Sequence, residues 1–183
     1  MNNRKIMAAG SIIALCMILW GCNTGPTPSE TMWMADPPFQ EVEQPPFRVR
    51  LTPEKNQTPT YVVFLLTIAN TDETDLIVDW NESRYVFNGR PQGPLVFEGI
   101  DPAAIKNATV PPERIAPGAT LSRQIMPLRL IAWSPVKEKT ARSQSIAPGM
   151  LPAGENGIRL SIEYQDQRTT IDLSSRITRQ VKP

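Results

Sequence analysis

The chain has 183 residues, 19 Lys plus Arg against 18 Asp plus Glu, and no histidine. Without histidine there is no imidazole base or ligand, so Ser–His–Asp triads, Cys–His nucleophiles and His-containing zinc sites are excluded. The near-neutral balance shows no basic stripe of the kind that grips nucleic acid.

In chain order the first feature is "MNNRK", with Arg4 and Lys5, followed by fifteen uncharged residues, "IMAAGSIIALCMILW", ending at Gly21–Cys22. A positive start, an apolar stretch and a small residue before the break have the layout of an export signal. The stretch is shorter than the about 20 apolar residues a membrane-crossing helix needs. Prolines begin directly afterwards and would break any helix running outward.

Leu19–Trp20–Gly21–Cys22 resembles the lipobox of bacterial lipoproteins, a Leu-x-small-Cys pattern cut before the cysteine. Trp20 departs from the small residue that family prefers. The resemblance covers residues 1–22 and implies a signal peptide over 1–21, a diacylglycerol on Cys22 and an acylated amine. Two or three chains, at about 0.8 kcal/mol per buried CH₂, hold a protein firmly to a bilayer. Cys16 leaves with such a signal, so the 162 residues from Cys22 onward would hold no free thiol and form no disulfide. Asn23 stands where inner-membrane lipoproteins of Gram-negative bacteria carry aspartate. In such a source the resemblance therefore implies the periplasmic face of the outer membrane.

All 19 prolines follow Cys22, and six lie between residues 23 and 46. Residues 22–46 accordingly read as a lipidated N-terminus and semi-extended tether, reaching ~70 Å at most at about 3.1 Å per residue. Met32, Trp33 and Met34 are unusual in a solvated tether. They suit docking on the domain, the membrane or a partner, and the domain is the simplest of the three.

From Phe47 to the end the pattern is β. "TYVVFLLTIAN" (60–70) is apolar on both parities, as in a central strand covered on both faces. In "TDLIVDWNES" Leu76, Val78 and Trp80 point one way, Ile77, Asp79 and Asn81 the other. "RYVFNGRPQGPLVFEG" predicts a third and a fourth strand about an Asn88–Gly89 turn. "DPAAIKN" (101–107) predicts a helical turn or two, with Asp101 as cap and Pro102 in the first position. "ATLSRQIMPLRLIAW" gives further extended chain. The last hairpin is the clearest: Ile158, Leu160, Ile162 and Tyr164 alternate, and Ile171 and Leu173 answer beyond a turn near Asp166.

Short strands with frequent turns and almost no helix predict an all-β chain, a β-sandwich over 47–183. The stretch "TIANTDETDLIVDWNESRYVFNG…RIAPGATLSRQIMP", within residues 60–130, resembles the immunoglobulin-like domains of small exported bacterial proteins. It shares their Asn-rich turn, Trp-terminated strand and Pro–Gly corner. The resemblance implies a sandwich and no particular ligand.

Candidate binding features are few. Trp80 and Trp133 each end an extended segment and could offer sugar-stacking faces, although burial in the core is the simpler use of a large ring. Residues 134–156 form the longest stretch without strand pattern, made mildly basic by Lys137, Lys139 and Arg142. An envelope polymer or plain solvent would suit it. Arg176, Arg179 and Lys182 make the C-terminal end basic too, as a frayed terminus or a contact for anionic headgroups. No metal or cofactor is expected. The functional expectation is a membrane-anchored, non-catalytic interaction or assembly module with an envelope protein partner. The alternative is a module binding envelope glycan or lipid.

Overall fold

Alternating apolar residues become strand after strand along most of the described residues. The computed structural model describes residues 31–97, 99–100, 110–133 and 146–181. Residues 1–21, read as a signal peptide, Cys22, the 101–107 segment and Lys137, Lys139 and Arg142 lie outside the described residues.

Among the described residues twelve strands follow one another: β1 (Thr31–Asp36), β2 (Gln40–Gln44), β3 (Phe47–Glu54), β4 (Val63–Asn70), β5 (Leu76–Phe87), β6 (Arg90–Phe97), β7 (Glu113–Ile115), β8 (Thr120–Pro127), β9 (Ala132–Trp133), β10 (Ile146–Ala147), β11 (Gly154–Tyr164) and β12 (Gln167–Val181). Among the described residues the only helical piece is a 3-10 turn at Leu128–Leu130. Ten strands form one curled antiparallel sheet in the order β1-β12-β11-β5-β6-β8-β4-β3-β2, with β7 on β5, while β9 and β10 pair separately.

Strand β6 turns the sheet. Its first half, Arg90–Pro94, pairs with β5, and its second half, Leu95–Phe97, pairs with β8. Pro91 and Pro94 have no N–H to give the ladder, which frees the strand to leave one neighbour for the other. Strands that change partners in this way make the corners of packed sheets. At the far ends the chain closes the curl itself: β1 lies on β12, and β2 lies on β3. Between them Pro37 O accepts from Ser175 Oγ at 2.6 Å, and the Gln40 side chain accepts the Ser174 N–H.

The core fills the curl. It takes Phe47, Val49 and Leu51 from β3, Phe64, Leu66 and Ile68 from β4, and Ile158, Leu160 and Ile162 from β11, every one buried. On β4 the opposite parity (Leu65, Thr67, Ala69) is half-buried, so this central strand is fully covered on one face, not on both.

Two strands expected around residues 76–87 are one. Leu76, Val78 and Trp80 are buried, and so are Ser83 and Tyr85, which shifts the inward parity from even to odd. A bulge absorbs the shift. Asp79 Oδ1 accepts from the Asn81 and Glu82 N–H groups at 3.0 and 3.2 Å, while Ser83 Oγ donates to Asp79 O at 2.7 Å. The partner strand slips its register between Arg159 and Ser161 to match.

Two more differences concern segments expected to be loose. Residues 31–44, inside the proline-rich stretch read as tether, are sheet strands, because Trp33 and Val42 pack against the core. The stretch 134–156 contains β10 and then a docked arm, in which Leu151 is 0% exposed and its N–H donates to Tyr61 O at 2.8 Å.

Candidate functional site

The bulge that ends the first half of β5 carries Trp80 into a cluster joining four strands. Its ring is 1% exposed and lies 4.9 Å from Phe97, centroid to centroid. Its Nε1–H donates to Glu113 Oε2 at 3.2 Å. The other Glu113 oxygen takes a hydrogen bond from Arg123, whose guanidinium covers Phe97 at 4.4 Å. Every face of the indole is used, so Trp80 offers a sugar no platform; the ring is core. Trp133 pairs through its backbone with Ile146 in the small β9–β10 ladder.

Exposed chemistry on the β11–β12 surface is largely self-paired. Arg159 donates to both Asp172 oxygens at 2.9 Å, and that contact holds the Asp172 carboxyl below its ordinary range. Arg168 reaches Asp79 at 3.3 Å and Glu163 at 3.9 Å. Tyr164 donates to Asp72, which lowers the Asp72 carboxyl and raises the phenol. Among the described residues no three His, Cys, Asp or Glu side chains meet as a metal cluster. Nor, among them, is any helix long and apolar enough to cross a membrane.

What remains open is a sheet edge. Among the described residues β1 has one strand neighbour, β12. Thr31, Trp33 and Ala35 share the half-buried parity, while Met32 and Met34 stand outward, 49% and 43% exposed. The hydrogen-bonding direction follows from β12. Ser174 gives its N–H to Gln40, on the side away from β11. Backbone groups alternate along a strand, so Arg176, Thr178 and Gln180 also turn theirs toward β1. Their register partners are Asp36, Met34 and Met32, which therefore bond inward. Thr31, Trp33 and Ala35 must aim their N–H and C=O groups at the open edge.

The sheet's other end is guarded. On β2, Glu43 pairs with Arg48 and Glu41 with Arg50, each at 2.6 Å, and Arg48 holds the Glu43 carboxyl below its usual range. Pro45 and Pro46 follow at once. Charges and prolines are the usual protection of an edge strand against unwanted pairing. Strand β1 carries no charge within Thr31–Ala35; Asp36 is its single charge, and Pro37 and Pro38 follow it as Pro45 and Pro46 follow β2, so the two edges differ in charge. No family model matches the chain, and no curated protein or solved structure matches it significantly.

Proposed function

We propose that this chain is a lipid-anchored, non-catalytic interaction module of the bacterial cell envelope. Residues 1–21 are a cleaved signal peptide, Cys22 carries the lipid, and an immunoglobulin-like sandwich carries the interaction. The sandwich reading is supported by the corner at β6, which divides the curled sheet into a β1-β12-β11-β5 half and a β8-β4-β3-β2 half around one core. In a Gram-negative source Asn23 favours the outer membrane.

The observation that carries the proposal is the position of β1. The edge, open among the described residues and uncharged from Thr31 to Ala35, starts with only residues 23–30 between it and Cys22. Eight residues span at most roughly 28 Å fully extended. An anchored chain would hold this edge close to the membrane and ready for an extended partner, the geometry of strand addition. The glycan-binding alternative has lost Trp80 and would rest on Trp133 and the basic 134–145 segment.

The test is metabolic labelling with palmitate. The wild-type chain is expected to take the label and migrate as the processed form. Cys22→Ser should remain an unlabelled precursor, heavier by the signal. A labelled Cys22→Ser chain would overturn the anchor.

A further inference from the structure

We infer that β1 pairs antiparallel with β1 of a second copy of this chain. This deepens the interaction-module reading and rests on it for the confinement that makes a small contact sufficient.

The parity of β1 selects the register. Residues that aim their backbone at the open edge must meet residues that do the same, so odd positions face odd positions. The arrangement with the greatest overlap sets Trp33 opposite Trp33 on the two-fold axis, with Thr31 opposite Ala35 on either side. These three pairs exchange all six outward N–H···O=C bonds of Thr31, Trp33 and Ala35. Met32 then faces Met34 of the other copy, twice, in the non-hydrogen-bonded positions where Cα atoms approach to about 4.5 Å. Four exposed methionine side chains would cover one another on the outward face. Methionine is flexible enough to pack against itself without an imposed fit.

Nothing between Thr31 and Ala35 opposes the match, because these five residues carry no charge. A β2–β2 contact would bring the Glu41–Arg50 and Glu43–Arg48 pairs together instead. The symmetry is also compatible with anchoring. In this register the two Thr31 residues stand four residues apart along the ladder, about 14 Å at 3.4 Å per residue. The eight-residue segments before them can both return to one bilayer. A five-residue ladder is small beside the ~1,200–2,000 Å² of a stable interface, so pairing depends on the high effective concentration that a shared membrane supplies.

Cross-linking of full-length chains in membranes tests this. Two differently tagged chains, one Met32→Cys and one Met34→Cys, are expressed together with their native signal, and the membranes are oxidised. The Cα separation of the facing pair suits a disulfide, so a species carrying both tags is expected. Replacing Met32→Cys by Glu41→Cys on β2 should abolish it. Adding Ala35→Pro to both chains removes an N–H that β12 does not use. The doubly tagged species should then fall about tenfold or more, with the melting temperature of the chain unchanged. Palmitate labelling of the same membranes reads the anchor separately. A cross-link without label that is still lost in the Glu41→Cys pair, and so does not run through a free Cys22, leaves the pairing standing and removes the lipid. A labelled chain with no doubly tagged species, or one cross-linked only to a protein of different mass, overturns the pairing.

Discussion

Tyr85 donates its hydroxyl to Asn156 Oδ1 at 2.6 Å, across the junction of β5 and β11, with both side chains buried. The same amide gives its Nδ2 hydrogens to Pro152 O at 2.8 Å and Gly154 O at 3.0 Å. One asparagine thus ties a core tyrosine to the turn that launches β11. Asn70 does similar work at the end of β4, donating to Thr74 O at 2.7 Å and Ile115 O at 3.0 Å while accepting from Asp72 N–H. Both pins satisfy backbone groups that the curl would otherwise bury unpaired.

Replacing Tyr85 with Phe leaves Asn156 Oδ1 buried without its donor. The expected cost is about 1–3 kcal/mol, the usual penalty for an orphaned buried acceptor. Urea denaturation should show a lower midpoint with an unchanged slope. A midpoint equal to that of the wild type would mean that the hydrogen bond contributes nothing.

Burial pushes the Tyr85 phenol up to about 12, against a smaller opposing pull from Arg129. An unfolded tyrosine ionises near 10. Between those values the unfolded chain loses the proton and the folded chain keeps it. This contribution to stability is therefore whole below pH 10 and is lost as pH rises toward 12, by about 1.4 kcal/mol per pH unit. Tyr164, raised by Asp72, acts in the same sense. Stability measured from pH 9 to 11.5 should fall less steeply for Tyr85→Phe than for the wild type. Parallel curves would remove Tyr85 from the alkaline transition.

Gly149 lies where a methyl group cannot. A Cβ there would sit 1.8 Å from Leu130 O and 2.9 Å from its carbonyl carbon, both backbone. Gly149→Ala should push the arm off and withdraw Leu151, two residues on, from the core. The loss should approach that of Leu151→Ala, about 2–5 kcal/mol. Met150→Ala, between them but 49% exposed, should melt like the parent. If Gly149→Ala also melts like the parent, the arm is not held at Leu130.

How much of this was legible depends on whether a residue's neighbours in sequence are its neighbours in space. The last hairpin could be read outright: Ile158, Leu160 and Ile162 are all buried, although Ser161 between the last two is buried as well, and the turn falls at Gln165–Asp166, both at positive φ. Asn88–Gly89, also at positive φ in both residues, was as plain. The unity of β5 was hidden, since its bulge depends on Asp79 and Ser83 meeting through hydrogen bonds that periodicity cannot register. Leu151 was hidden because a lone apolar residue has no period. The open edge was least legible of all: it is defined by which strands lie beside β1, and only topology supplies that. Met32–Trp33–Met34 was the one signal, three large apolar residues in a stretch otherwise fit for solvent.

That signal leads to a prediction opposite to the one the prolines suggest. If residues 22–46 were only a tether, a chain starting at Gln44 would melt like the whole domain. In the structure such a chain loses the six β1–β12 register pairs, all but one of the five β2–β3 pairs, and the packing of Trp33 and Val42 on the core. It also loses the Pro37 and Gln40 contacts that close the curl onto Ser175 and Ser174. A chain starting at Thr31 should keep a single cooperative melt. One starting at Gln44 should melt lower by about 10 °C, since each kcal/mol shifts a domain of this size by about 2–4 °C and several are removed. Phe64→Asp in the longer chain should abolish the melt, because an unpaired core carboxylate costs several kcal/mol of the about 5–15 that hold a domain together. Equal melting of the two truncated chains, followed by calorimetry, would return residues 31–44 to the tether and detach β1 from the fold.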